Sequence, residues 1–191
     1  MSLLEITGLT HSFGENLLYK NAGFTLNKGE HIGIVGQNGT GKSTLIKICT
    51  EQIIPDSGRV IWQPNITIGY LDQYAEIDHT LTMKEFLKSA FAKLFEIEIQ
   101  VMQLYEKAAD GDMKNLELAA YYQEQLETHD FYSIDTAIER VANGLGLLAI
   151  GLDRPIIEMS GGQRAKVILA KLLLEKPDVL LLDEPTNFLD K

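Results

Sequence analysis

The chain has 191 residues, of which 45% are hydrophobic and 23% are charged, a composition typical of a globular protein with one or two domains. Its net charge of −10 argues against a surface that wraps nucleic acid broadly and leaves room only for a local basic patch. The single cysteine, Cys49, excludes an internal disulfide framework, and no pair of Cys and His residues has zinc-site spacing. These features favour a reducing, cytoplasmic compartment.

The sequence gives no sign of a membrane or export segment. No apolar run approaches the roughly 18 residues needed to span a bilayer. The first residues, MSLLEITG, have neither the basic region nor the apolar core of a signal peptide. We therefore expect a cytoplasmic chain without direct membrane insertion.

Short β-strand patterns fill the first part of the chain. The segments LLEITGLTHSF, GFTLN and HIGIV are separated by turn residues, and IGIV (residues 32–35) lacks polar alternation, which predicts a strand buried on both faces. A glycine-rich loop and an apolar helix follow, with Cys49 on the packed side of the helix. RVIWQPNITIGYLDQ (residues 59–73) predicts a hairpin or a pair of edge strands interrupted at Pro64 and Asn65.

The pattern changes to long helices over residues 81–144. Apolar residues recur at three- and four-residue spacing in a first run that ends at residues 108–112. A second helix from Asn115 to about Thr128 would complete a helical hairpin, and a third helix follows. Residues 82–140 hold 6 Lys and Arg against 12 Asp and Glu, so this insert is acidic. Its plainest interpretation is a solvated helical face.

The last third returns to alternating helix and strand. MSGGQ (residues 159–163) opens an apolar helix that stops at Pro177, and VLLLDEP (residues 179–185) follows as a buried strand that ends in two acids. The carboxyl edge of an open α/β sheet is where such sheets bind ligands. We expect Asp183 to hold a magnesium ion and Glu184 to polarise an attacking water.

The most specific motif is a phosphate-binding loop. GQNGTGKST (residues 36–44) fits the pattern G-x-x-x-x-G-K-[ST] and lies between a predicted strand and a predicted helix, as such a loop requires. Its glycines allow backbone N–H groups to surround an anion, Lys42 adds a full charge, and Ser43 can ligate the magnesium of a nucleoside triphosphate. The predicted nucleotide-binding residues of the loop are Gly36, Asn38, Gly39, Thr40, Gly41, Lys42, Ser43 and Thr44.

A second anion site is predicted at the start of the last helix. Ser160, Gly161 and Gly162 would leave unpaired N–H groups beside the positive end of this helix, and Gln163 follows them. The plainer interpretation of the same residues is a helix N-cap with flexible glycines.

Together these motifs resemble those of the ATP-binding cassette (ABC) ATPases. GQNGTGKST, MSGGQ, VLLLDEP and NFLD (residues 187–190) occur in the family's order, and the resemblance covers essentially the whole chain. It implies an α/β P-loop fold, in which a parallel core sheet and a small antiparallel β subdomain carry an inserted α-helical subdomain. It also implies ATP as substrate and Mg²⁺ as cofactor.

The resemblance divides the chain into three regions. Residues 1–80 are expected to form the antiparallel β subdomain and the P-loop core. Residues 81–158 would form the helical subdomain with its inserted arm hairpin. Residues 159–191 would supply the signature helix and the acidic strand of the core.

Two further residues acquire roles from the resemblance. Phe13 matches the aromatic residue that stacks on adenine, and Gln73 matches the glutamine that contacts magnesium and the attacking water. Without the family, Phe13 would be interpreted as a core residue and Gln73 as a surface amide. The implied catalytic residues are Glu184, Gln73 and Lys42, and the implied magnesium ligands are Ser43, Gln73 and Asp183.

The family's mechanism requires a partner. Two ABC cassettes face head to tail, and the SGGQ of one closes on the ATP held by the phosphate-binding loop of the other. The resemblance therefore implies a second cassette, in the same full-length chain or in a dimer, whose nucleotide Ser160, Gly161, Gly162 and Gln163 would contact. ATP binding then drives closure, and hydrolysis drives opening.

One branch of the family fits best. EPTNFLD resembles the EPTNHLD of the ABC-F branch, and Ser160 lies 87 positions after Gln73, a longer interval than transporter cassettes usually carry. ABC-F proteins are soluble, carry two cassettes on one chain, and many act on the ribosome, with a helical arm at this place in the first cassette. The expectation is the first nucleotide-binding domain of an ABC-F ATPase, a ribosome-associated translation factor with a ribosome or RNA contact.

Two other classes compete with this expectation. The main alternative is the nucleotide-binding subunit of an ABC transporter. A cassette that clamps DNA in chromosome maintenance is disfavoured, because it would carry a very long coiled coil at the insertion.

Three features depart from the branch pattern or weaken the expectation. Phe188 stands where the branch usually has histidine. The sequence ends at Lys191, before the family's switch histidine and later strands, so the sheet should be incomplete and this truncated domain nearly inactive by itself. The acidic hairpin would repel RNA phosphates unless Lys84, Lys88 and Lys93 cluster at a contact.

Overall fold

The computed structural model describes residues 2–71, 80–108 and 112–185. They divide into two compact units, one formed by residues 2–71 and 177–185 and the other by residues 80–108 and 112–176. Gln73 and the NFLD motif, including Phe188, lie outside the described residues.

The first unit contains a three-stranded antiparallel sheet. Strand β1 (Ser2–Phe13) lies between β2 (Asn16–Asn27) and β3 (Ser57–Trp62). Apolar side chains of β1 alternate inward and pack against helix α1 (Lys42–Cys49). The buried members of this cluster are Leu4, Ile6, Leu9, Leu45, Ile48 and Cys49.

Cys49 is a packing residue, as predicted. Its side chain is buried in the cluster of β1 and α1. Burial raises the pKa of the Cys49 thiol to about 11, because the thiolate would lose its hydration. The thiol therefore stays protonated and unreactive at neutral pH.

A parallel strand pair forms the second sheet of the first unit. Strand β4 (Ile68–Leu71) pairs with β5 (Val179–Leu182). Asp178 fixes the start of this pair, since its Oδ2 accepts hydrogen bonds from the N and Oγ1 of Thr67 at 2.8 and 2.9 Å. The backbone N of Asp178 in turn donates to Oγ1 of Thr67 at 3.0 Å. One aspartate thus aligns two strands that are far apart in sequence.

One strand prediction is wrong, and another holds only in its second form. The described residues 59–71 do not form a hairpin, because β3 pairs with β1 and β4 pairs with β5. They form two edge strands interrupted at Pro64 and Asn65, which was the alternative. Pro64 and Asn65, the latter with a left-handed φ of 62°, turn the chain out of the first sheet. Residues 32–35 form no strand, and Val35 is 96% exposed. A buried strand needs hydrogen-bonded neighbours, and no described residue pairs with this segment.

The second unit is helical. Short 3-10 turns join its helices, and the turn at Ser89–Phe91 divides the predicted first helix into two. The helices are α2 (Met83–Lys88), α3 (Ala92–Ala108), α4 (Met113–Thr128), α5 (Ile134–Gly144) and α6 (Gly161–Glu175). The predicted hairpin is present as α3 packed on α4. Within the described ranges, no helix has both the length and the apolar character needed to cross a bilayer.

One core holds these helices together. Helices α2, α5 and α6 each contribute side chains with almost no exposure, spaced three or four residues apart, and α4 contributes Leu126. Examples are Met83, Leu87, Leu126, Ile138, Ala142, Val167 and Ala170.

Lys84 and Lys88 share a helix face, as predicted, and both contact one carboxylate. Their Nζ atoms lie 3.7 and 3.2 Å from Oδ1 of Asp135. The hydrogen bond from Lys88 holds the pKa of the Asp135 carboxyl below its usual value. These two lysines are therefore engaged within the second unit, whereas Lys93 is exposed.

Candidate functional site

The phosphate-binding loop has the backbone shape that its glycines permit. Gly39 and Gly41 have φ angles of 84° and 101°, in a region that residues with a Cβ rarely adopt. A methyl group at Gly36 would lie 2.7 Å from Oγ1 of Thr40. The loop therefore curls tightly before α1 begins, as a backbone cradle for an anion must.

Lys42 is the first residue of α1 and reaches back over the loop. Its Nζ donates to the carbonyl oxygens of Gly36 and Gln37, both at 3.0 Å. Since an ammonium group has three donors, Lys42 can hold both carbonyls and still donate to an anion. Gly41 is the N-cap of α1, and no side chain of the described residues caps this helix. The N–H groups of its first turn are therefore available to a ligand.

A cleft of about 270 Å³ opens beside the loop, within the first unit. Its wall combines the loop and the start of α1 with the ends of β1, β2 and β5. The lining residues are Phe13, Asn16, Leu18, Asn38, Gly39, Gly41, Lys42, Ser43, Thr44 and Glu184. The fold thus brings most of the predicted loop residues together with Phe13 and Glu184, which are distant from them in sequence.

Other predicted site residues lie elsewhere. Gly36 and Thr40 belong to the loop but not to the cleft wall. Asp183 is half-buried and does not line the cleft. Gln73 lies outside the described residues, and the SGGQ motif (residues 160–163) belongs to the second unit.

Phe13 forms one wall of the cleft. Its side chain is 53% exposed, so its interpretation as a core residue is wrong. Its ring meets the buried His11 edge to face, with centroids 4.9 Å apart and planes at 83°. A half-exposed aromatic ring held from one side suits stacking against a planar base.

Ser12, which precedes Phe13, anchors the end of β1. The N and Oγ of Ser12 donate to Oδ2 of Asp56 at 2.8 and 2.7 Å. The hydrogen bond from the Ser12 hydroxyl keeps the pKa of the Asp56 carboxyl below its usual value. Backbone and ring contacts together therefore fix the position of Phe13.

Glu184 is exposed on the cleft wall, just after β5. Its φ of 46° lies in the left-handed region that residues other than glycine seldom adopt. Such backbone conformations cluster at ligand sites, where the surrounding fold imposes them.

The donors of the cleft suit magnesium that arrives with a ligand. Among the described residues, no three His, Cys, Asp or Glu side chains are grouped to hold a metal. The hydroxyl of Ser43 and the carboxylate of Glu184 both line the cleft and supply oxygen atoms only. Mg²⁺ prefers oxygen and usually binds few protein groups together with substrate phosphates. The residues present therefore fit a magnesium ion carried in by a triphosphate.

The SGGQ motif has the geometry of a helix cap. The Oγ of Ser160 accepts the N–H of Gln163 at 3.3 Å, and Oε1 of Gln163 accepts the N–H of Ser160 at 2.9 Å. This confirms the capping part of the plainer interpretation. Gly161 and Gly162 are exposed, and a methyl group at either would meet no atom of the described residues within 4 Å, apart from the backbone of its own helix. Packing within the second unit therefore does not explain these two glycines.

Motif analysis missed three residues of β2. Asn16 and Leu18 line the cleft, and the hydroxyl of Tyr19 donates to the carbonyl oxygen of Gly41. A tight connection pairs Phe13 with Asn16 and brings β2 back past the loop. The only sequence feature that could have pointed to Asn16, Leu18 and Tyr19 is that they follow Phe13 closely.

Comparison with known proteins identifies similar sequences along the whole chain. The ABC transporter family model matches residues 19–187. The chain is 47% identical over its full length to the uncharacterized ABC transporter ATP-binding protein YfmM of Bacillus subtilis strain 168. It is 34% identical over 98% of its length to ABC transporter F family member 2 of Arabidopsis thaliana. It is also 38% identical over 91% of its length to the energy-dependent translational throttle protein EttA of Escherichia coli K12.

The chain spans 38%, 29% and 31% of the lengths of these three relatives. Among solved structures, an ATP-binding subunit of an ABC transporter matches 99% of this chain and 69% of its own, with a TM-score of 0.66 and 21% identity. This likeness confirms the predicted fold class, an α/β P-loop cassette.

Proposed function

Since this chain belongs to the ABC transporter family of ATP-binding cassettes, with relatives in the ABC-F branch, we propose that it is a magnesium-dependent ATPase cassette of the ABC-F type. The cleft of the first unit carries this proposal. There the phosphate-binding loop, a half-exposed aromatic ring and an exposed carboxylate share one wall. The loop suits the triphosphate of ATP, the aromatic ring suits its adenine, and the carboxylate suits the attacking water.

Binding is divided between the two ends of the nucleotide. The amides of the loop and of the first turn of α1 surround the phosphates, and Lys42 neutralises part of their charge. Phe13 stacks on adenine, and the apolar side chain of Leu18 lies on the same cleft wall. Both ends are therefore bound by groups that the first unit already holds in place.

Hydrolysis depends on Glu184 as general base. The carboxylate takes a proton from water as the water oxygen attacks the γ-phosphorus, and the bond from that phosphorus to the bridging oxygen breaks. Ser43 would hold a magnesium ion together with Asp183 and Gln73, the further ligands that the family resemblance implies, and this ion would supply positive charge to the phosphate oxygens. Lys42 stabilises the charge that moves onto the leaving diphosphate.

A second cassette completes the site. We place Ser160, Gly161, Gly162 and Gln163 against the nucleotide of the partner cassette. The open space around both glycines supports this assignment, because a close approach from outside accounts for residues that packing does not require. Without a partner, the chain 1–191 is expected to hydrolyse ATP very slowly.

A role in translation is the further part of the proposal. A relative named as a translational throttle supports it, and so does the α3–α4 hairpin inserted before the signature helix. Lys84 and Lys88 are paired with Asp135, which leaves Lys93 as the most available of the three predicted RNA contacts. A transporter subunit is the second candidate, which the likeness to a solved transporter subunit favours at the level of the fold.

The test is Glu184→Gln in the full-length protein. We expect ATP hydrolysis to fall by about 100-fold or more, the range for loss of a general base, while ATP binding persists. Lys42→Ala should instead weaken binding itself. An unchanged hydrolysis rate would remove Glu184 from its role. Sedimentation of the Glu184→Gln protein with ribosomes, with and without ATP, separates the translation factor from a transporter subunit, which would copurify with an integral membrane protein.

A further inference from the structure

Tyr19 connects the phosphate-binding loop to the core of the first unit. It lies on β2 and packs against the apolar cluster of β1 and α1. Its hydroxyl donates to the carbonyl oxygen of Gly41, the residue that ends the loop and caps α1. Burial raises the pKa of the Tyr19 phenol above its usual value, so the donor is present throughout the neutral pH range.

This hydrogen bond fixes the direction of one peptide group. The carbonyl of Gly41 and the N–H of Lys42 belong to the same planar trans peptide and point in opposite directions. The carbonyl also accepts the N–H of Leu45 at 2.9 Å, so it faces along α1. The N–H of Lys42 therefore faces the N-terminal end of the helix, where Lys42 lines the cleft.

The Tyr19 hydroxyl is a second restraint on this carbonyl, beside the N–H of Leu45, at a residue whose own backbone supplies little. Gly41 has a φ of 101°, and a glycine backbone moves among several regions at low cost. A methyl group here would lie 2.5 Å from Oη of Tyr19 and 3.2 Å from Cδ1 of Leu18. The glycine thus admits the tyrosine hydroxyl, and the hydroxyl restrains the glycine.

We propose that Tyr19 is a positioning residue for the bound triphosphate, which it serves by aiming the Lys42 amide into the phosphate cradle. The inference rests on the proposed nucleotide site. It assigns the effect of Tyr19 to the phosphates, because the hydrogen bond from Tyr19 reaches Gly41, at the end of the phosphate cradle, and Tyr19 does not line the cleft.

Tyr19→Phe in the full-length protein removes the hydroxyl and keeps the packed ring. We expect the Kd of both Mg-ATP and magnesium tripolyphosphate, measured by calorimetry, to rise by the same factor of about three to ten, the range for one hydrogen bond. The unfolding temperature should change little, because the carbonyl of Gly41 keeps its bond from Leu45. Phe13→Ala provides the contrast, since it should weaken the binding of ATP and leave the binding of tripolyphosphate unchanged.

Tyr105→Phe is the matched control. The Tyr105 hydroxyl donates to Oε1 of Gln123 at 2.7 Å on the α3–α4 hairpin, so this variant also loses one phenolic hydrogen bond, in the other unit. It should bind both ligands like the wild type. Equal weakening in the two tyrosine variants, or weakening that follows a lower unfolding temperature, would assign Tyr19 a structural role and overturn the inference.

Two outcomes separate this inference from the proposed function. If Tyr19→Phe binds both ligands like the wild type while Lys42→Ala loses them, the positioning role is wrong and the nucleotide site stands. If the wild type binds neither ligand, the proposed function fails, and the role of Tyr19 fails with it.

Discussion

Recognition of the base and of the phosphates depends on different residues. Phe13 is held by His11 and by the anchored backbone of Ser12. Lys42 is held by the carbonyl groups of Gly36 and Gln37 in the loop. Because these two sets share no hydrogen bond, substitutions in them should affect binding independently.

Phe13→Ala tests this separation at the level of a single ring. We expect the Kd for ATP to rise by about five- to 100-fold, as expected when stacking of one base is lost, with no change for tripolyphosphate. Phe13→Trp should retain ATP affinity. Leu17→Ala is a suitable control, because Leu17 is a neighbouring exposed apolar residue that does not line the cleft. If Phe13→Ala lost affinity equally for ATP and for tripolyphosphate, a role in base stacking would be contradicted.

The sequence predicted local parts of the site better than distant ones. Gly39, Gly41 and Lys42 fall in one short motif, since a phosphate cradle is built from consecutive residues. Tyr19 could not be predicted, because its contact with Gly41 depends on how β2 returns along β1. The roles of Gln73 and Asp183 stay predictions, which nothing in the described cleft tests.

At the level of secondary structure, Asp178 joins the parts of the first unit that are most distant in sequence. Its bonds to Thr67 span 111 positions and align β4 with β5, directly before Glu184. The hydrogen bond from the Thr67 backbone is the main cause that lowers the pKa of the Asp178 carboxyl. The position of the proposed general base therefore depends on an ionised carboxylate at the opposite end of the strand.

The sign of the pH effect follows from this lowered pKa. The folded state favours the ionised Asp178, so its contribution to stability is complete above the ordinary aspartate pKa of about 4 and is lost as the pH falls through the lowered value. Asp178→Asn should lower the urea midpoint at neutral pH, and the difference from the wild type should shrink below about pH 4. The exposed Asp153→Asn is the control. A difference that is constant with pH would contradict an effect of the charge.

Helices were predicted more accurately than strands for a physical reason. The hydrogen bonds of α4, α5 and α6 are local, so their periodicity alone indicates their extent. Strand pairing joins distant segments, and an apolar run does not identify its partner. Residues 32–35 illustrate this limit, since they look like a buried strand and yet lie exposed without a paired strand among the described residues. The described residues 59–71 likewise contribute to two sheets.

At the scale of the whole molecule, the family's mechanism joins two cassettes through the SGGQ motif. The same residues cap α6, so removal of the Ser160 hydroxyl would mix a loss of stability of about 1 kcal/mol with any loss of function. A useful variant must keep the cap and change only what an approaching phosphate would meet.

Ser160→Asp meets this requirement in the full-length protein. Aspartate is as good an N-cap as serine, and its charge is favourable at a helix N-terminus, so the unfolding temperature should be unchanged or higher. If SGGQ faces the γ-phosphate of the partner's nucleotide, the added carboxylate repels it and prevents closure. The Glu184→Gln protein should be trapped in the closed state and should therefore retain bound ATP through gel filtration. We expect the double variant Glu184→Gln, Ser160→Asp to retain no ATP. Ser160→Asn has the same shape and capping ability without the charge and should retain ATP, so equal retention by both variants would show that no phosphate approaches this motif.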